Sequence, residues 1–170
     1  MKKVIVGILL GLCVLTTPIQ ASANANSNID TSESDGIPFM IRQYAEVGGS
    51  EYDICPELLE SIAYFESRYT ADAVNGSCMG LMQVNPNAHK DRLEKYGWSS
   101  EDLLDPYKNM MIASDYLQEL FDEYEDVGLV LYIYNGNSTG LKQYKKTGQL
   151  NKYAAKILDR SAELERIHGK

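Results

Sequence analysis

From Ile37 to the C-terminus, apolar residues recur every three or four positions, the spacing of amphipathic helices. No run alternates long enough to predict a strand, and no internal repeat is visible. Pro38 opens a short amphipathic segment carrying Ile37, Ile41, Tyr44 and Ala45. Pro56 suits the first position of a helix running to about Tyr69. Asp105-Pro106 reads as a cap and first-turn proline for a long helix bearing Met110, Ala113, Leu117, Leu120, Phe121 and Tyr124 on one face. Val127 to Tyr134 is apolar nearly all round and predicts a buried helix. Leu141 to Lys146 predicts a short helix, and Asn151 caps a last one with Ala154, Ile157, Leu158, Ser161 and Leu164 on one side. The expected architecture is all-α, about seven helices around one core, within a single domain over residues 37–170.

The first segment breaks this pattern. Lys2 and Lys3 precede an apolar run from Val4 to Leu15, and Ala21-Ser22-Ala23 supplies small residues after it. Residues 1–25 read as a secretory signal peptide, with cleavage after Ala23 or Ala25, because the run is too short to span a bilayer. Residues 26–36 are polar and acidic and read as a flexible linker. The protein is therefore expected to be secreted or extracytoplasmic.

Composition narrows the partners. The chain has 16 Lys+Arg against 24 Asp+Glu, and removing residues 1–25 takes away two lysines and no acid. That balance argues against a nucleic-acid backbone and against an anionic membrane surface. The exported chain would keep Cys55 and Cys78, an even pair that reads as a disulfide or as two free thiols. A bridge there would contribute roughly 3 kcal/mol by the chain-entropy model. Two cysteines with the distant His89 and His168 lack zinc-ligand spacing, so no metal is expected. His89 itself reads as a surface residue in a turn that starts a helix.

One residue stands on the wrong face of its helix. Glu66 follows Leu59, Ile62 and Ala63 by seven, four and three positions, inside the apolar arc. A carboxylate there must be paired, protonated or at the lip of a cleft. Burial and the negative end of the helix dipole both favour its protonated form, as a general acid requires. Pairing with Arg68, Lys90 or Arg92 is the structural alternative. Downstream, Met82 and Gln83 offer a flexible apolar wall beside an amide, a combination suited to an amide-bearing sugar. Tyr134 and Asn135 add a phenol and a second amide.

Glu66-Ser67, then Gly80-Leu81-Met82-Gln83, then Asp105-Pro106 with Asn109, then Tyr134-Asn135 resemble the lytic transglycosylase domain of the soluble type, related in fold to goose-type lysozyme. The similarity runs from about Ile54 to Gly140, with a weaker echo from Tyr153 to Leu158. The resemblance implies a lysozyme-like helical fold and cleavage of the β-1,4 bond between N-acetylmuramic acid and N-acetylglucosamine in peptidoglycan glycan strands. It implies Glu66 as catalytic acid and then base, with Ser67, Met82, Gln83, Asn135 and Tyr153 on the substrate side. Tyr134 would hold the Glu66 carboxylate or the substrate. No cofactor is implied. Service in a wall-remodelling, secretion or conjugation apparatus is compatible with it. Two other readings stay open: a muramidase in which a carboxylate such as Asp72 activates water, and a wall-binding or assembly module without turnover.

Overall fold

The computed structural model describes residues 35–170; the signal-peptide segment and all of the linker before Asp35 lie outside the described residues. Seven α-helices and one small hairpin make up the described chain: α1 Phe39–Tyr52, α2 Pro56–Ser67, β1 Val74–Asn75, β2 Cys78–Met79, α3 Lys90–Tyr96, α4 Pro106–Glu123, α5 Val127–Tyr134, α6 Ser138–Thr147 and α7 Lys152–Ile167. A 3-10 turn at Glu101–Leu104 leads into α4. The fold is all-α, as its periodicity predicts.

Local chemistry starts the helices where the sequence places them. The Asp105 carboxylate accepts from Lys108 N at 2.9 Å and opens α4, and Asn151 Oδ1 accepts from Ala154 N at 2.8 Å and opens α7. Pro56 sits at the start of α2, where its missing N–H costs nothing.

α1 runs further than its apolar pattern suggests, through Gly48 and Gly49 to Tyr52. Packing explains the glycines. A Cβ on Gly48 would lie 2.8 Å from Ser114 Oγ and 3.3 Å from Leu59 Cδ1, so its absence lets α1 press onto α4 and α2. The hairpin is the other departure. It pairs Val74 with Met79 and Asn75 with Cys78 around a turn at Gly76, whose φ is +62°. Two-residue strands are too short to carry an alternation that sequence periodicity could register.

α2 lies at the centre, with α1 and α7 packed against it and α4 behind α1. Leu59, Ile62, Leu81, Met82, Met110 and Ile112 are fully enclosed, each contributing about 1.5–3 kcal/mol by leaving water. The side of α2 facing α7 is charged instead. Glu57 binds His168 Nδ1 and Lys170 Nζ, each at 2.8 Å. Asp35, placed in the linker by composition, has its carboxylate buried here, accepting from Ile37 N at 3.0 Å and pairing with Arg42 and His168.

Cys55 and Cys78 are both free thiols, which corrects the disulfide expectation. They stand at opposite ends of α2. Cys55 precedes its first residue and lies 3.1 Å from Glu57 Oε2, whereas Cys78 sits in β2 beside the cleft at the other end. A helix of 12 residues is about 18 Å long, well beyond the span of a disulfide.

Candidate active site

Glu66 is the penultimate residue of α2, and the chain turns sharply after it. Arg68 and Tyr69 both adopt left-handed backbone, with φ of 55° and 63°. Such residues each cost on the order of 1–3 kcal/mol and need outside support. The Arg68 guanidinium lies over the Tyr64 ring at 4.1 Å, and the Tyr69 hydroxyl accepts from Arg160 at 3.0 Å. The turn lifts the chain off α2 and delivers it to the hairpin.

The carboxyl of Glu66 is partly buried, and its hydrogen-bond partner is Tyr153 on α7, which donates to Oε1 at 2.5 Å. None of the cations weighed from the sequence pairs with it: Arg68 stacks on Tyr64, Lys90 pairs with Glu94, and Arg92 pairs with Glu119 and Asp115. Burial raises the Glu66 pKa, and the Tyr153 hydrogen bond offsets only part of that rise. The site thus favours a carboxylic acid with one oxygen already oriented. Burial and the nearby Glu66 charge push the Tyr153 hydroxyl far above its ordinary value, so it remains a donor at neutral pH. The Asn135 amide is close enough to the same hydroxyl to counter part of that rise, so Tyr153 brings the end of α5 and the end of α2 together.

Tyr134 does something other than hold the carboxylate. Its hydroxyl donates to the Met82 carbonyl at 2.8 Å, while Glu66 remains an electrostatic neighbour. Met82 is likewise displaced from its expected role: its side chain is fully buried in the core, and only its backbone reaches the site. Ser67 turns back on its own helix, with Oγ donating to the Ala63 carbonyl at 3.3 Å.

The loop from Gly80 to Gln83 is set by one buried amide. Asn109 Oδ1 accepts from Met82 N at 2.7 Å, and its Nδ2 donates to the carbonyls of Met79 and Leu103, both at 2.8 Å. Gly80 has φ +77°, and a Cβ there would fall 2.1 Å from the Leu103 carbonyl oxygen and 2.2 Å from Asn109 Nδ2. Only glycine allows the loop to close over the amide. Gln83, also left-handed at φ 51°, spends its amide nitrogen on the carbonyls of Gly80 at 2.9 Å and Ala73 at 3.2 Å.

Beside this loop opens a cleft of about 290 Å³, within which Cys78, Gln83, Tyr134 and Asn135 meet. It continues past Ala88, His89 and Tyr116 into a second hollow of about 330 Å³ reaching Arg92 and Glu119. Neither Glu66 nor Tyr153 lines the cleft itself; both stand at its edge, next to Tyr134 and Asn135. His89 is a cleft residue, not a surface one. Its ring packs 4.5 Å from that of Tyr116, and burial lowers its pKa, keeping it neutral. Tyr116 in turn stacks on Tyr134 at 5.9 Å. Nothing in the local sequence around His89 or Tyr116 signals this aromatic wall, because it joins α4, α5 and the turn before α3. Among the described residues, no cluster of His, Cys, Asp and Glu could hold a metal ion.

Known proteins resemble this chain to different extents. The X polypeptides of Escherichia coli and of its strain K12 are each 36% identical to it over 85 residues, 46% of this chain and 50% of theirs. The chain thus spans about half the length of the curated relatives it matches. An inactive mutant of the lytic transglycosylase Slt from Pseudomonas aeruginosa superposes with a TM-score of 0.67 at 18% identity, over 79% of this chain and 25% of that one. The 70-kDa soluble lytic transglycosylase in complex with bulgecin A gives the same TM-score, identity and coverage. At that identity the likeness is one of fold. Residues 43–157 match the model of the transglycosylase SLT domain, and over that span, more than half of its length, the chain belongs to that family.

Proposed function

We propose that the protein is a peptidoglycan lytic transglycosylase, with Glu66 as its single acid and base. The observation that carries this reading is the Glu66 carboxyl itself: partly buried, raised in pKa and held by the Tyr153 hydroxyl at the edge of an amide- and tyrosine-lined cleft.

In the first step, protonated Glu66 gives its proton to the glycosidic oxygen between N-acetylmuramic acid and N-acetylglucosamine. The bond from the anomeric carbon to that oxygen breaks, and its electron pair leaves with the N-acetylglucosamine hydroxyl. The substrate's own acetamido group stabilises the cationic centre. Glu66, now a carboxylate, takes the proton of the muramoyl C6 hydroxyl as that oxygen closes on the anomeric carbon. The product is a 1,6-anhydro ring, and Glu66 is returned protonated with no water consumed.

Ordinary glycosidases need a second carboxylate about 5 Å or more from the acid. Among the described residues, none of those lining the 290 Å³ cleft is acidic, Glu119 in the hollow beyond it pairs with Arg92, and Asp72 is exposed on the loop before the hairpin. This favours ring closure over hydrolysis. The substrate lies outside the cytoplasm, as does the protein if residues 1–25 act as an export signal.

Digestion of purified peptidoglycan followed by mass spectrometry tests the proposal. The expected fragments end in 1,6-anhydromuramic acid, one water lighter than hydrolysed ends. Reducing muramic ends alone would make the enzyme a muramidase. Glu66→Gln should lower turnover by at least about 10²-fold while wall binding persists. Full activity in that variant would remove Glu66 from the mechanism.

A further inference from the structure

The cleft and the hollow beyond it meet at His89. Its ring lines both spaces, of about 290 Å³ and 330 Å³, beside Ala88 and Tyr116. The side chain is half-buried, yet neither ring nitrogen makes a hydrogen bond to any described residue.

The ring is held in place all the same. Its backbone N–H donates to the Asn85 carbonyl at 3.1 Å, and its own carbonyl accepts from Leu93 N at 3.0 Å as the cap of α3. One side of the ring packs on Tyr116, which stacks on Tyr134, whose hydroxyl is tied to the Met82 carbonyl. A polar edge that is fixed, partly shielded from water and unpaired within the protein is preorganised for what enters the cleft.

The protonation state narrows the ligand. Burial and the Arg92 guanidinium lower the imidazole pKa, and Asp115 opposes them less strongly, so the ring is neutral at pH 7. A neutral imidazole presents one N–H donor and one bare acceptor nitrogen. Sugar hydroxyl and acetamido groups also carry a donor and an acceptor each, whereas a carboxylate only accepts and an ammonium only donates. No residue lining the 290 Å³ cleft is an acid, Lys or Arg, and the Arg92 charge beyond it is taken up by Glu119 and Asp115. The surroundings therefore favour a neutral partner.

We propose that His89 is a glycan-binding residue, whose imidazole hydrogen-bonds a hydroxyl or acetamido group of a sugar where the cleft passes into the second hollow. The identity of that ligand rests on the transglycosylase reading. His89 contributes to affinity, and the proton of the first step still comes from Glu66.

Calorimetric titration of Glu66→Gln protein with the tetramer of N-acetylglucosamine gives the reference affinity. Adding His89→Phe keeps an aromatic ring against Tyr116 and removes both nitrogens. It should weaken binding about three- to tenfold, the effect of one lost hydrogen bond. His89→Gln restores a donor and an acceptor and should bind more tightly than His89→Phe. In Glu66→Gln protein isotope-labelled at its histidine rings, the tetramer should move the His89 nitrogen signals saturably and leave those of His168, at the other end of α2, in place. With Glu66 intact and soluble peptidoglycan fragments as substrate, the loss in His89→Phe should fall in KM rather than kcat. Undiminished affinity in His89→Phe, a Gln variant no better than Phe, a silent His89 ring, or a loss confined to kcat would each overturn the proposal. If anhydro products form while the His89 ring stays silent, His89 alone is refuted. If no glycan is bound or cleaved, the transglycosylase reading falls and this proposal with it.

Discussion

Asn109 offers the most direct trial of how the catalytic loop is held. Its side chain is fully buried and satisfies three backbone groups: the N–H of Met82 and the carbonyls of Met79 and Leu103. Asn109→Ala would orphan all three in a space closed by the Gly80 backbone. A buried backbone group without a partner costs about 1–3 kcal/mol, and one entering water could serve two of them, so the expected loss is ~3–6 kcal/mol. Against the ~5–15 kcal/mol of a typical domain, that is a large fraction of the total. The midpoint of thermal unfolding should fall by about 10–20 °C, read by circular dichroism or calorimetry. The isosteric Asn109→Asp separates shape from hydrogen bonding. It retains the acceptor for Met82 N and replaces the donor to two carbonyls with an oxygen, so it should destabilise despite equal volume. The effect should reach the site, because the Met82 carbonyl is the acceptor that fixes Tyr134. A loss below ~1 kcal/mol in Asn109→Ala would mean that the loop is held by its own turns, and the reasoning would fail.

Other predictions follow from the charged groups. Turnover should decline as pH rises through the raised pKa of Glu66, since the acid form gives the first proton. Tyr153→Phe removes the one hydrogen bond that lowers that pKa, so the alkaline limb of the pH–rate profile should move to higher pH while the maximal rate falls; a limb moving to lower pH would contradict the assignment. Stability has its own pH dependence. Burial pushes Glu57 up, but hydrogen bonds from Lys170, His168 and Cys55 outweigh it and hold the carboxyl at about 2, below its ordinary 4.5. Its contribution is therefore complete above pH 4.5 and lost as pH falls toward about 2, and denaturant melts of Glu57→Gln should show a flatter acid limb. His168 runs the other way: burial lowers its pKa, yet bonds to Asp35 and Glu57 raise it overall, so its contribution is full below 6.5 and fades as pH rises through the raised value. His168→Gln should lose stability at pH 6 and lose less at high pH, and an equal loss at both would refute the pairing.

The sequence alone determined the features that depend on near neighbours. Asp105 and Asn151 cap helices three residues on, Pro56 tolerates a first turn, and Glu66 shares an arc with Ile62 and Ala63 because a helix turns every 3.6 residues. The all-α class followed from that periodicity. The motif from Gly80 to Gln83 was legible as a motif, but its cause was not, since Asn109 lies 27 residues after Met82. Tertiary packing decided which residue holds the Glu66 carboxyl. Tyr153 reaches it across 87 residues because α7 lies against α2, and Tyr134 is diverted to a backbone carbonyl by the same packing. It also decided the fate of Met82, which faces the core, and of Cys55 and Cys78, which α2 holds apart. Caps and helical periods are short-range and recur along the chain, whereas a hydrogen bond between two helices depends on the crossing of both, which no single stretch of sequence contains.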